Sequence, residues 1–128
     1  MLLPRHSAVH ILSLAFGLAI AFVLIEPVPP TLENATRGSA FPYDKLVHFG
    51  LFLAAAFPWR RSLAVLGVRR VGIAVVVVAA VYGGALEIAQ GLWTLRDPEF
   101  LDMVAGVLGA ATAVGILGRL KESKVTSY

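Results

Sequence analysis

Seven polar side chains stand at the edges of long apolar stretches, and their types suit acid–base or binding chemistry. An imidazole can act as a general base, and a nearby carboxylate can orient it. Lysine and arginine can hold an anionic group. The candidates are His48 and Glu87 as a catalytic pair, and Asp44, Lys45, Gln90, Arg96 and Asp102 as substrate-binding residues.

The spacing of these residues predicts which of them share a helix face. Asp44 and His48 are four residues apart, and Glu87 and Gln90 are three apart, so each pair projects from one side of a helix. The set contains no serine, threonine or cysteine, which leaves histidine or a carboxylate as the available nucleophile. A histidine with three carboxylates could bind a divalent cation, but the set holds no pair of histidines four residues apart. The sequence therefore predicts no metal and no other cofactor.

The composition is that of a membrane protein. Of the 128 residues, 58% are hydrophobic and 15% are charged, whereas soluble domains are about 45–50% apolar. The absence of cysteine excludes disulfides, thiolate catalysis and a cysteine metal site. The net charge of +3 is small, and its placement matters more than its size. We expect a single membrane domain over residues 1–128, with no nucleic-acid partner.

Four apolar stretches are long enough, or nearly so, to cross about 30 Å of hydrocarbon as helices. The predicted spans are residues 7–25, 43–59, 71–93 and 100–118. Their length without alternation favours helices over strands. Prolines and polar residues predict a solvated loop over residues 26–42. A cleaved signal peptide is the alternative for the first span, but its apolar run continues past the small residues that would be cleaved, so we predict a retained helix.

The basic residues predict how the spans are oriented. Eight lysines and arginines fall on the side of the termini and of the loop between spans two and three, and three fall on the other side. The eight are Arg5, Arg60, Arg61, Arg69, Arg70, Arg119, Lys121 and Lys124, and the three are Arg37, Lys45 and Arg96. By the positive-inside rule both termini are cytoplasmic. The expected fold is an all-α bundle of four transmembrane helices.

This topology places the seven candidates together at the outward end of the bundle. Span two begins there, span three ends there, and span four begins there. Glu87 lies six residues before Trp93, about 9 Å deeper along the helix, where an ionised carboxylate costs up to about 2.5–3.5 kcal/mol. His48, Lys45 and Arg96 are the available partners. A purely structural bond between His48 and Glu87 is the simpler alternative, because polar residues commonly join membrane helices.

Span four carries two further features that have structural explanations. Asp102 suits the start of a helix, where a carboxylate can cap the chain or complement the helix dipole. Asp102, Gly106 and Gly109 fall on one stripe of this span. Small residues allow helices to approach closely, and Gly83 and Gly84 of span three could receive the stripe.

The ordered motifs of spans two to four resemble the VanZ-like family of small membrane proteins. The pattern is Asp-Lys-x-x-His-Phe at residues 44–49, Glu-x-x-Gln at residues 87–90, and Arg96 followed by Asp102 and Gly109. An asparagine is usual in the family where this chain has Gly106, so the resemblance implies an altered site or another donor. It also implies a bacterial cell-envelope protein of the cytoplasmic membrane, since the founding member is associated with low-level resistance to the lipoglycopeptide teicoplanin.

Two classes of function are compatible with these residues. In the first, the outward-facing site recognises an envelope lipid or lipoglycopeptide, and whether His48 also catalyses a reaction is left open. In the second, the chain is a non-catalytic accessory subunit whose glycine and alanine faces pack against a larger membrane complex. A transporter is not indicated, because the sequence shows no inverted repeat and no broken helix pair.

Overall fold

The computed structural model describes residues 5–25, 43–93 and 98–125, with the side chains of all of these except Arg5 and residues 122–125. These ranges form four helices: α1 (Arg5–Ile25), α2 (Tyr43–Val65), α3 (Val71–Trp93) and α4 (Phe100–Val125). No strand occurs within them. The predicted all-α bundle of four helices is confirmed. By length and composition, α1, α3 and α4 are apolar enough to cross a membrane.

The least apolar of the four helices is α2. It contacts α1, α3 and α4, so protein rather than lipid surrounds much of its surface. A polar side chain on such a helix can point into the bundle, where other helices supply its partners. The buried residues of α2 are His48, Phe52, Ala55, Ala56, Pro58 and Trp59.

The second helix is longer than the sequence predicted. The predicted span ended at Trp59, whereas α2 continues to Val65. The arginines that follow Trp59 end the hydrophobic stretch but not the helix, because arginine is a good helix former. The helix stops before Gly67, whose φ of +77° is left-handed. The N–H groups of Gly67 and the next residue donate to carbonyls of the last turn at 3.0 and 3.1 Å, which is the Schellman ending that favours glycine.

Polar side chains fasten α1 to the rest of the bundle. Three donors from α2 and α3 reach backbone carbonyls of α1, whose oxygens have a second lone pair beyond the one used within the helix. The pairs are Trp59 Nε1 with Ser13 O (3.3 Å), Tyr82 Oη with Gly17 O, and Gln90 Nε2 with Leu24 O. Lipid tails are as apolar as a leucine side chain, so directed bonds matter more between membrane helices than apolar burial does.

Tyr82→Phe is expected to lower the melting temperature of the purified bundle in detergent. The change removes only the hydroxyl that donates to Gly17 O, and such interhelical bonds contribute about 0.6–2 kcal/mol in membrane proteins. Thr112→Val is the matched control, because Thr112 Oγ1 bonds Leu108 O within its own helix. Circular dichroism should show a loss of stability for Tyr82→Phe and almost none for Thr112→Val. Equal losses would contradict the interhelical role.

The glycine stripe of α4 packs against α2 and not against the glycines of α3. A Cβ added at Gly109 would collide with Phe49 O, and one at Gly106 would lie 3.1 Å from the ring of Phe52. The sequence had suggested Gly83 and Gly84 of α3 as the receiving surface, but the side chain of Met103 on α4 packs against both glycines. The stripe therefore lies inside this chain, where it sets the distance between α2 and α4.

Candidate functional site

Three of the predicted site residues meet at one end of the bundle, each from a different helix. His48 lies near the start of α2, Glu87 near the end of α3 and Asp102 in the first turn of α4. All three are buried. One nitrogen or oxygen atom from each lies within 4.8 Å of the corresponding atoms of the other two. We call these three residues the buried cluster.

The ring of His48 is oriented by the backbone of its own helix. Its Nδ1 lies 2.8 Å from Asp44 O. A carbonyl oxygen only accepts hydrogen bonds, so Nδ1 carries the proton of this bond. The other ring nitrogen, Nε2, lies 3.6 Å from Glu87 Oε1, is buried, and makes no hydrogen bond. The predicted structural bond between His48 and Glu87 is thus longer than the range of about 2.7–3.2 Å for a hydrogen bond.

Glu87 is held by the residue that directly precedes α4. Its Oε2 accepts a hydrogen bond from the backbone N–H of Glu99 at 2.9 Å. This bond offsets part of the cost of burying a carboxylate, since a hydrogen bond to the ionised form favours that form. It leaves Oε1 as the oxygen that faces His48 Nε2.

Lys45 lies at the rim of the site and pairs with two carboxylates, that of Asp102 on α4 and that of Glu99 directly before this helix. Its Nζ lies 2.8 Å from Glu99 Oε2 and 3.5 Å from Asp102 Oδ1. The side chain of Lys45 is 32% exposed and that of Glu99 is 55% exposed, whereas that of Asp102 is only 6% exposed. The rim is therefore open to the surroundings, and the buried cluster lies beneath it.

Asp102 does not act as the cap that its position suggested. It is the third residue of α4 rather than the residue before the helix. Its Oδ1 is buried and makes no hydrogen bond, although the ammonium group of Lys45 lies 3.5 Å away. Its place in the first turn still complements the positive end of the helix dipole, but its side chain points toward the other members of the buried cluster.

The remaining predicted residues have different surroundings. Asp44 is exposed on α2, and its carbonyl oxygen rather than its carboxylate binds His48 Nδ1. Gln90 is buried and donates to Leu24 O, so its amide joins α3 to α1 at this end of the bundle. Arg96 lies outside the described residues.

Glu99 belongs to the site and was not predicted from the sequence. Its backbone N–H binds Glu87, and its carboxylate binds Lys45. One sequence signal was available. Glu99 is an acidic residue directly before the start of α4, and Lys45 lies near the start of α2, at the same end of the bundle. The backbone contact to Glu87 had no such signal, since any residue has an N–H.

The arrangement can accept protons or bind a positively charged group. His48 Nε2 and the carboxylates of Glu87 and Asp102 lie close together and are buried, with the ammonium group of Lys45 at the rim. No hydroxyl or thiol lies among these residues, so the site offers acid–base or ligand chemistry. Comparison with protein-family models, curated proteins and solved structures returns no match for this chain.

Proposed function

We propose that this chain is an integral membrane protein of the bacterial cell envelope that binds the polar part of an envelope lipid or lipoglycopeptide. The observation that carries the proposal is the buried cluster itself, in which His48 Nε2 lies 3.6 Å from Glu87 Oε1 without a hydrogen bond. Buried ionisable groups are costly within a membrane and are usually kept for function. A purely structural pair would be expected to close this gap.

The position of the site suits a ligand that lies in the membrane surface. The cluster is at the end of the bundle where α2 and α4 begin, so a headgroup can reach it while the apolar tail stays beside the helices. The rim formed by Lys45 and Glu99 is accessible from outside the bundle. The positive-inside prediction places this end on the outer side of the cytoplasmic membrane.

The chemistry of the residues suggests how a headgroup is bound. The lone pair of His48 Nε2 and the carboxylate of Glu87 can accept hydrogen bonds from a hydroxyl or an amine, and Lys45 can donate to a phosphate at the rim. In a catalytic form, His48 would remove the proton of such a hydroxyl, and Glu87 would stabilise the resulting imidazolium. The resemblance to the VanZ-like family supports an envelope ligand, because its founding member is associated with teicoplanin resistance.

Glu87→Gln is expected to abolish ligand binding and to leave the fold intact. The amide oxygen of glutamine can still accept from Glu99 N–H, and its amide N–H can donate to His48 Nε2. The negative charge of Glu87 and its second acceptor oxygen are lost. Native mass spectrometry of the protein in mild detergent should show a lipid or lipid-like mass on the wild type that is missing from Glu87→Gln at matched expression.

His10→Gln serves as the control for this experiment. His10 lies on α1 and bonds Ser62 on α2, among residues that do not belong to the buried cluster. The variant should keep the co-purifying mass. Equal lipid retention by wild type and Glu87→Gln would contradict the proposal. A protein partner retained at fixed stoichiometry by all three proteins would instead favour the accessory-subunit alternative.

A further inference from the structure

The geometry points to a divalent metal ion bound by His48, Glu87 and Asp102. One ligand atom from each residue lies within 4.8 Å of the other two, and all three residues are buried. Two of these ligand atoms, His48 Nε2 and Asp102 Oδ1, are buried without a hydrogen bond. A buried polar atom that lacks a hydrogen bond is costly, and an ion between the three residues would satisfy both atoms together.

The tautomer of His48 is the one that metal binding through Nε2 requires. Its Nδ1 donates to Asp44 O at 2.8 Å, so in the neutral ring the lone pair is on Nε2, which faces Glu87 Oε1. The 3.6 Å between these atoms is too long for a hydrogen bond. It is close to the distance of about 3.4 Å that separates two ligand atoms of a tetrahedral ion with bonds of about 2.1 Å.

The partners around the three ligands are of the kind that support a metal site. A metal-bound histidine usually donates its other ring N–H to a carbonyl or carboxylate, which fixes the ring and its tautomer. Asp44 O has this role for His48. Ligating carboxylates are in turn hydrogen-bonded, and the N–H of Glu99 binds the second oxygen of Glu87 at 2.9 Å.

The charge at this end of the bundle also fits a divalent cation. Glu87, Glu99 and Asp102 carry three negative charges when ionised, and Lys45 supplies one positive charge through its contacts with Glu99 and Asp102. Two of these carboxylates, those of Glu87 and Asp102, are on buried residues, and Asp102 shares Lys45 with the exposed Glu99. Burying two neighbouring carboxylates is costly, and a divalent ion bound between them would place further positive charge beside both.

The ligand types indicate which ion is bound. One imidazole and two carboxylates suit zinc or manganese, whereas calcium and magnesium prefer sites made of oxygen alone. Three protein ligands leave at least one position for water or an anionic group, as in sites that perform chemistry rather than hold a fold together. Metal binding by these three residues does not require the proposed lipid.

The test is metal binding by chelator-treated, tag-free protein in detergent, without added lipid. Isothermal titration with ZnCl₂ and with MnCl₂ should show one ion per wild-type chain and per His10→Gln chain, since His10 lies on α1 and bonds Ser62 instead. Asp102→Asn and Glu87→Gln should each weaken binding by roughly a hundredfold, which is the upper range for loss of even an outer-shell partner. Metal should raise the melting temperature of the wild type and of His10→Gln only.

The melting temperature without metal gives a second and independent criterion. Each of the two amide variants removes one of two neighbouring buried negative charges, and Lys45 keeps Glu99 as a partner. Chelator-treated Asp102→Asn and Glu87→Gln should therefore melt at or above the wild-type temperature, and the order should reverse when metal is added. Absence of binding by folded wild type, or equal binding by folded Asp102→Asn and wild type, would overturn the metal site. Lipid retention is measured separately, so the two proposals can fail independently.

Discussion

Gly109→Ala is expected to destabilise the bundle by about 3 kcal/mol, the upper part of the usual range for overpacking a tight interior. The added Cβ would collide with Phe49 O and lie 3.0 Å from Phe49 C and 3.1 Å from Phe49 Cα. These are backbone atoms of α2, which cannot rotate away as a side chain can. The two helices must therefore separate to admit one methyl group.

The separation should also open the buried cluster. Gly109 is on α4, the helix that carries Asp102, and Phe49 is the residue after His48 on α2. Moving these helices apart would increase the distance between Asp102 and His48. Metal or lipid binding by Gly109→Ala should accordingly weaken, although no ligand residue has been changed.

Gly115→Ala is the matched control on the same helix. A Cβ at Gly115 meets nothing within 4 Å, and alanine is the better helix former by up to about 1 kcal/mol in water. Thermal unfolding followed by circular dichroism should show unchanged or slightly higher stability for Gly115→Ala and a large loss for Gly109→Ala. Similar melting temperatures for the two variants would show that α2 and α4 are not in close contact at Gly109.

Gly106→Asn is expected to destabilise the bundle because the ring of Phe52 occupies the space that an asparagine would need. A Cβ at Gly106 would lie 3.1 Å from two ring atoms of Phe52. Phe52 is only 1% exposed and packs against Trp59 and Tyr82, with ring centroids 5.9 and 6.1 Å away. The ring has little room to move, and we expect a loss of about 1–3 kcal/mol.

Phe52→Ala gives a way to test this cause. Alone, the change should leave a cavity and cost about 3–5 kcal/mol by comparison with soluble cores. In the double variant that combines Gly106→Asn with Phe52→Ala, the asparagine fills part of the cavity. Its loss of stability should therefore be smaller than the sum of the two single losses by about 1 kcal/mol or more. Chemical or thermal unfolding of the four proteins measures this coupling. Additive losses would mean that Phe52 is not what excludes an asparagine from this position.

The four helices, and the end of the bundle at which the polar residues gather, could be predicted from the sequence alone. All four predicted spans begin at or within two residues of the observed helices, and the third span matches Val71–Trp93 at both ends. The length of an apolar run and the prolines between runs are local properties of the chain, so the sequence shows them directly. Consecutive helices joined by short connections run in opposite directions, so the ends of α2, α3 and α4 that carry His48, Glu87 and Asp102 lie together.

Which atoms meet at that end depends on how the helices pack and could not be predicted. The stripe with Gly106 and Gly109 faces α2, and Asp102 points into the cluster, because each helix adopts one rotation about its axis, which depends on packing against all its neighbours at once. The carbonyl of Asp44 and the N–H of Glu99 orient the two central ligands. Backbone groups are the same in every residue, so their use in a site leaves no pattern in the sequence.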